Sequence, residues 1–445
     1  MAASDILNKI ESTYEVDKIT SPNGRKVWPL LRQKIVFDEV KKTIGLSNKL
    51  RTRNSHQLFK NFFYGFNNLF CLKKFDYVFF NNTDKRIQYR TKKFDIFFDA
   101  WSDKVGQKKS LFIEWASNNH LPSNETYSKN IISDLPFKFL TTVVSKFVKS
   151  KLVNEKILDK ISTAYDIPIS IKKELNSKLA ELLVFKFIFK IIKPKAIFVL
   201  SSFTKVSIVL AAKELGIKVY EAQHGYIGDL HTFYSTKKKC KEAYPDYLLS
   251  FGTYEKQKAT PELIFDSEQI IPVGSFQLEL IKSKPIPEDL LKLKEKYTLV
   301  FCVTLQAIKE KEILQWIMKE AQLHSDWLFV IRAKNRDEDY STYTTQSNII
   351  ELKNFNIYEV LKISDYNITI YSTTAIEGAF LGAHPIFFNI NNLSKNHFDV
   401  EEMNAIVIDE GELLNNTILN KQIHKEQSFF VDNYLKNIAE VNLSF

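Results

Sequence analysis

From about residue 76 the chain alternates short apolar runs with longer stretches whose apolar positions recur at helical spacing, and this alternation predicts α/β architecture. Strands are expected at 77–80, 96–98 and 111–115, followed by long helices at roughly 136–151 and 171–192. The clearest unit comes next. The apolar run 196–200 reads as a strand, 205–215 as a helix, Gly216 as its C-terminal cap, and 218–221 as the next parallel strand. The loop Ala222-Gln-His-Gly-Tyr-Ile-Gly-Asp follows, and 247–251 reads as the last strand of this half.

A polar segment, 252–270, then leads to a second series opening at Ile271-Pro-Val-Gly-Ser. Strands at 298–303 and 327–332 flank a helix at 309–323. Strands at 349–352 and 366–370 extend the sheet around a helix at 357–363, and a strand at 386–388 and a helix at 428–439 close the pattern. The expected organisation is an N-terminal domain over 1–252, a C-terminal domain over 253–425 and a closing helix within 426–445. No internal repeat of solenoid length interrupts it.

Bulk properties narrow the picture. A chain of 445 residues is long enough for two cores, and 44% apolar with 26% charged residues marks it as globular. The net charge of +10 suits an anionic ligand or membrane surface. Cys71, Cys240 and Cys302 are widely spaced and odd in number, which indicates neither a disulfide framework nor a zinc site and fits a reducing cytoplasm. The N-terminus lacks a basic region followed by an apolar core, and the most apolar helical stretch, 182–192, is short and interrupted by Lys186 and Lys190. A cytoplasmic protein is expected, soluble or peripheral on the inner membrane face.

Candidate chemistry concentrates where strands end. The run Tyr371-Ser-Thr-Thr-Ala-Ile-Glu-Gly-Ala-Phe-Leu-Gly-Ala-His-Pro follows a strand, places Ser372, Thr373 and Thr374 at a helix start, and returns through Gly382 to another strand. Hydroxyls and unpaired N–H groups at a positive helix end favour an anion such as phosphate, and Glu377, one turn further, can accept from a ribose diol. Two more motifs fall at the same expected sheet edge: Thr304-Leu-Gln306, and Arg332-Ala-Lys334-Asn, whose charges suit a diphosphate. The plainer alternative is a helix cap beside a solvated strand end.

In the first half, Gln223-His224-Gly225 follows a strand directly. Gly225 is expected to turn with positive φ and aim His224, whose ordinary pKa suits it to take a proton from a hydroxyl or to brace a phosphate. Asp229 and His231 lie in the same loop, and Gly274 opens the second half. The acidic run 337–339 reads as a solvated loop, and His384-Pro385 as the entry to a buried strand. No metal site, Walker loop or Gly-x-Gly-x-x-Gly is present. The stretch 57–70 interleaves aromatic with polar residues, flanked by Lys49, Arg51, Arg53, Lys73 and Lys74. It fits an anionic membrane surface, or a helix packing its aromatic face on the domain. Lys237-Lys-Lys reads as a surface loop, and without a recognised binding module the charge does not imply nucleic acid.

Taken together these residues resemble the GT-B glycosyltransferases of bacterial surface-polysaccharide synthesis, capsule and O-antigen, with relatives that transfer Kdo, sialic acid or polyol phosphates. The segment from Ser372 to Pro385 is similar to the donor-nucleotide segment of that superfamily, where the hydroxyl loop holds phosphate and the glutamate holds ribose. Gln223-His-Gly is similar to a His-Gly motif that carries a functional histidine, and Val27-Trp-Pro-Leu-Leu-Arg to an N-terminal element of capsule proteins. Those families commonly place a His-Pro pair where this chain has Arg332-Ala-Lys-Asn. The resemblance implies two Rossmann-like domains facing an interdomain cleft. It implies a metal-independent transferase with no cofactor, taking a nucleotide-sugar as substrate and a glycan or lipid-linked acceptor. His224 and Asp229 would be catalytic. Thr304, Gln306, Arg332, Lys334, Ser372, Thr373, Thr374 and Glu377 would bind the nucleotide, and Gln223, Gly225 and Gly274 would shape the cleft loops. A CDP-polyol phosphotransferase or a nucleotide-sugar 2-epimerase would share most of this framework.

Overall fold

A computed structural model describes residues 3–44, 55–165, 171–228, 231–306, 308–333, 339–414 and 428–443. It divides into two compact units, Met1–Gly274 with Asn433–Phe445, and Ser275–Asp432.

The first unit contains strands β1 (Tyr77–Asn82), β2 (Arg86–Tyr89), β3 (Lys92–Asp95), β4 (Ser110–Trp115), β5 (Ile131–Ser133), β6 (Ala196–Leu200), β7 (Lys218–Ala222), β8 (Tyr247–Ser250) and β9 (Ile270–Pro272). Seven of them form one parallel sheet in the order β5-β4-β1-β6-β7-β8-β9. Strands such as Ala196–Leu200 are apolar throughout because helices cover both faces. One row of in-register rings crosses five neighbouring strands. Phe112, Phe79, Phe198, Tyr220 and Tyr247 stack with successive centroid separations of 5.0, 4.7, 5.1 and 5.1 Å. A one-residue slip of any strand would break that row, so the row itself specifies register.

The sheet departs from expectation at four places. The segment 96–98 is a turn, because the Asp95 carboxylate accepts the N–H groups of Phe97 and Phe98 and draws the chain into the helix Asp99–Val105. The antiparallel hairpin β2–β3 precedes it. The short strand β5 lay outside the sequence expectation altogether. β8 is not the last strand, since β9 pairs with it through Leu248 and Ile270. The first unit therefore extends to Gly274, whereas the sequence pattern placed the boundary at 252. The helix Tyr434–Glu440 also belongs to this unit, where the Tyr434 hydroxyl donates to the Phe97 carbonyl at 3.3 Å and Lys104 donates to the carbonyls of Ile438 and Val441.

The second unit contains β10 (Leu299–Thr304), β11 (Trp327–Arg332), β12 (Ile349–Glu351), β13 (Tyr366–Thr369), β14 (His384–Asn389) and β15 (Ile406–Asp409), all parallel in the order β12-β11-β10-β13-β14-β15. A shorter ring row, Phe329, Phe301 and Tyr366 at 4.9 and 5.2 Å, registers its centre. Among the described strands of this unit only β15 lay outside the expected pattern, as did the helices Phe276–Ser283 and Glu288–Lys294.

Counting from its first parallel strand, the first sheet runs 3-2-1-4-5-6-7 and the second 3-2-1-4-5-6, the doubly wound order in which the winding reverses beside strand one. Each unit is Rossmann-like. The reversals fall between β1 and β6, and between β10 and β13, and there the strand ends leave a crevice for ligand.

Candidate functional site

In the second unit the reversal is lined by short polar side chains on strands whose other positions are apolar. Thr304, the last residue of β10, donates from Oγ1 to Asn367 Oδ1 at 2.8 Å. Asn367, fully buried on β13, donates in turn to the Thr374 carbonyl at 2.8 Å. Thr369 Oγ1 donates to the Thr304 carbonyl at 3.2 Å and accepts the Ser372 N–H at 3.3 Å. Gln306 Oε1 accepts the Tyr371 N–H at 3.1 Å, and Ser372 Oγ accepts the Thr374 N–H at 3.3 Å. Thr304, Gln306, Ser372, Thr373 and Thr374 are thus gathered at one place.

At the start of the helix Thr374–Leu381 the Ser372 hydroxyl meets the Thr374 N–H, the Ser372 and Thr373 carbonyls accept from Ala375 and Ile376, and Thr374 Oγ1 is buried with no hydrogen-bond partner among the described residues. Gly378 lets this helix lie against β13, since a Cβ would come within 3.2 Å of Leu361 and 3.4 Å of Asn367. Gly382, at φ 110°, ends it as expected. Glu377 accepts a hydrogen bond from Tyr358, whose hydroxyl burial and this carboxylate hold far above its ordinary pKa. Arg332 ends β11 beside Thr304 in the register, and its Nη1 donates to the Leu352 carbonyl. Lys334 lies outside the described residues.

The reversal in the first unit has a different character. Ser201, directly after β6, adopts φ 50°, ψ 62°, a left-handed conformation rare for a residue with a Cβ. Its Oγ lies 3.0 Å from His224 Nε2. Burial, with lesser contributions from Lys85 and Lys205, pushes the His224 imidazole down to about 4, so it is neutral at pH 7. Its Nδ1 has no hydrogen-bond partner among the described residues. Lys205 donates to the Leu200 carbonyl at 2.8 Å and to Thr204 Oγ1 at 3.3 Å, and burial lowers its ammonium to about 8. The turn is fastened from below by Glu221, whose Oε1 accepts the Ser202 N–H at 2.9 Å and the Tyr234 hydroxyl at 2.6 Å.

Gly225 is not among the left-handed glycines of this unit, which are Gly24, Gly65, Gly106, Gly216 and Gly274. The turn at His224 is held instead by Gln223. Its amide donates to the Gly225 carbonyl at 2.9 Å and to Glu255, and its Oε1 accepts the Phe251 N–H at 2.6 Å. Gln223 is therefore a buried brace. Burial raises the Glu255 carboxyl to about 8, which keeps it protonated at neutral pH. Asp229 lies outside the described residues, and His231 packs edge-on against Tyr234 at 4.8 Å. Gly274, at φ 93°, donates its N–H to the Ser250 carbonyl at 3.3 Å.

Sequence reasoning passed over Ser201, Lys205 and Asn367. Ser201 carries the signal of a hydroxyl directly after an apolar strand, but the sequence pattern gives no such signal for Lys205, at a helix start, or for Asn367, within β13. It also missed a buried ionic cluster beneath the ends of β1 and β4. There Arg86, from the hairpin, bonds Glu114 at 2.7 Å and Asp99 at 3.3 Å, and Glu114 contacts His120 at 3.0 Å. Asn81 joins it by donating to Glu114 at 2.8 Å.

The aromatic stretch is inside out. Asn61, Tyr64 and Asn68 point into the unit and bond the carbonyls of Asn118, Leu121 and Ile131. Gly65 sits so close to Ile131 that a Cβ would collide with its carbonyl. Phe59 and Phe70 are 67% and 81% exposed, and their rings continue through Phe63 and Phe66. Phe139, 62% exposed, extends the face through Phe62. Lys73 and Lys74 lie beside it, while Lys49, Arg51 and Arg53 are outside the described residues. No described helix is long and apolar enough to cross a membrane.

No protein-family model and no curated protein matches the sequence. Among solved structures the chain is similar to UDP-GlcNAc 2-epimerase from Neisseria meningitidis bound to UDP-GlcNAc, at 13% identity over 82% of this chain and 98% of that one, with a TM-score of 0.47. It is similar to MurG of Acinetobacter baumannii at 10% identity over 82% and 98%, TM-score 0.46. It is also similar to the calicheamicin glycosyltransferase CalG4 at 13% identity over 82% and 92%, TM-score 0.45. These likenesses concern the course of the chain, and no residue role is taken from them.

Proposed function

We propose that the protein is a glycosyltransferase that moves a sugar from a nucleotide-sugar donor to a glycan or lipid-linked acceptor. The observation that carries this reading is the neutral hydroxyl and amide set at the β10–β13 reversal, opening onto a helix start with a buried, unpartnered Thr374 hydroxyl. Hydroxyls at the positive end of a helix favour a phosphate. Ser372, Thr373 and Thr374 would take the phosphates and Glu377 the ribose, sharing its carboxylate with Tyr358. Arg332 and Lys334 would add charge, and Thr304 and Gln306 would hold the loop in place.

His224 would act as the base. Neutral at pH 7, its imidazole can take the proton of an acceptor hydroxyl as that oxygen bonds to the anomeric carbon. The bond from that carbon to the phosphate oxygen breaks, and the nucleotide leaves with the electron pair. Asp229 would assist within the same loop. The exposed aromatic face, flanked by Lys73 and Lys74, would rest on an anionic membrane and keep the protein peripheral.

Melting temperature followed with UDP-, GDP-, CMP- and CDP-linked sugars tests the donor assignment. At least one donor is expected to stabilise the protein, by about 2.7 kcal/mol at a hundredfold excess over Kd. No shift with any of them would remove the donor site. Conversion of a stabilising donor to its 2-epimer without acceptor would assign an epimerase, and a phosphodiester product a polyol phosphotransferase.

A further inference from the structure

A cavity of about 550 Å³ opens at the β1–β6 reversal of the first unit, between the strand ends and the helices Leu135–Ser145 and Ile171–Ile192. We propose that it binds the acceptor as an uncharged pyranose unit, one sugar ring lying against Trp115. The inference rests on the glycosyl-transfer reading and supplies what that reading leaves open, the chemical class of the group offered to His224.

The wall chemistry argues for a sugar. Phe80, Ile113, Phe137 and Phe185 contribute apolar lining, and Asn82, Thr141, Thr142 and Ser177 contribute neutral hydrogen-bonding groups. This pairing suits a pyranose, which has an apolar C–H face and a rim of hydroxyls. Trp115 ends β4, in register with Asn82 of β1, lines the cavity and is 38% exposed, with the Lys138 ammonium 5.8 Å from its ring centroid. The volume lies within the ~300–1,000 Å³ typical of small-molecule sites.

The electrostatics argue for an uncharged ligand. Lys138 is held by Asp134 at 2.5 Å, and Lys178 lies 4.0 Å from Glu181. Lys205 is committed to the Leu200 carbonyl and Thr204. The remaining charged group, Glu174, has no ion-pair partner among the described residues. An anionic ligand would meet cations that are already engaged and a carboxylate that repels it, whereas a carboxylate accepts well from sugar hydroxyls.

The cavity also reaches the proposed base. Ser201 lines it and stands 3.0 Å from His224 Nε2. A hydroxyl of the bound ring beside Ser201 would be one hydrogen-bonded link from the imidazole that takes its proton.

Saturation-transfer NMR on the full chain tests this with methyl glycosides of glucose, galactose, mannose and N-acetylglucosamine. Glucose 6-phosphate and N-acetylneuraminic acid serve as charged counterparts. At least one neutral glycoside is expected to give a signal that falls fivefold or more in both Trp115→Ala and Thr142→Trp, with circular dichroism confirming that each variant is folded. The charged sugars are expected to be at least fivefold weaker. No signal from any neutral glycoside, a signal unchanged in both variants, or preference for a charged sugar would each overturn the proposal. Donor stabilisation of the same two variants is expected to equal that of the wild type. If no donor stabilises even the wild type while glycoside binding persists, the donor assignment fails and the sugar cavity stands.

Discussion

The two units share a doubly wound strand order, extended by one strand in the first, and differ in what they place at its reversal. In the second, Thr304, Asn367, Thr369, Ser372 and Thr374 bond mainly to one another and to backbone, and no titratable group takes part in that set. In the first, a left-handed Ser201, a neutral His224 and a depressed Lys205 meet beside a cavity. A network of mutually satisfied neutral groups is rigid and indifferent to pH, which suits holding a ligand. Strained backbone and shifted ionisation are features of proton chemistry. On the proposed function the same topology would serve two tasks, divided by the side chains at the strand ends.

The sharpest way to break this contrast is His224→Ala. It is expected to lower kcat by about 10²–10³-fold while leaving donor stabilisation unchanged. Full turnover would move the proton chemistry elsewhere. On the other side, Asn367→Ala removes the link between Thr304 and the Thr374 carbonyl, and should cost about 2–3 kcal/mol in urea unfolding by leaving buried polar groups unsatisfied. Donor stabilisation should weaken with it, whereas a loss confined to kcat would contradict the division of tasks.

Acidification probes both units. His224 and His384 each have folded pKa values lowered by burial to about 4, against 6.5 as the ordinary value. Between pH 6.5 and 4 the unfolded chain therefore binds more protons, so this stability is fully present above pH 6.5 and is lost as pH falls toward 4. His384→Asn should flatten part of that dependence without altering the pH–rate profile. His224→Asn should alter both.

Ser201→Gly separates strain from contact. Relief of the left-handed conformation should raise stability by up to about 1 kcal/mol, while loss of the hydroxyl beside His224 lowers turnover. A variant unchanged in turnover would make Ser201 a bystander. The smallest stability effect, within about 0.5 kcal/mol, is expected for Phe70→Ser on the exposed face. Its readout is weaker sedimentation with anionic vesicles, and equal sedimentation would argue against the membrane surface.

Much of this was legible in the chain. The strand at Trp327–Arg332 and the helix at Ile171–Ile192 stand where periodicity put them, because long apolar runs and amphipathic helices announce their own burial. The hairpin β2–β3, β5 and β9 were not, since each is held by pairing with a distant strand that a local window does not contain. The hydroxyl run at Ser372 was visible because its residues are contiguous. Ser201 and His224 were harder, being joined only when β6 and β7 lie side by side. Gly225 misled for a physical reason, because the turn it was expected to make is held by the Gln223 amide.

Hydrogen exchange with and without the most stabilising nucleotide-sugar tests the central claim most directly. The account predicts that bound donor slows exchange at 304–306 and 371–377 in the second unit. Protection confined to the first unit, or absent from both segments while the donor is bound, would contradict it.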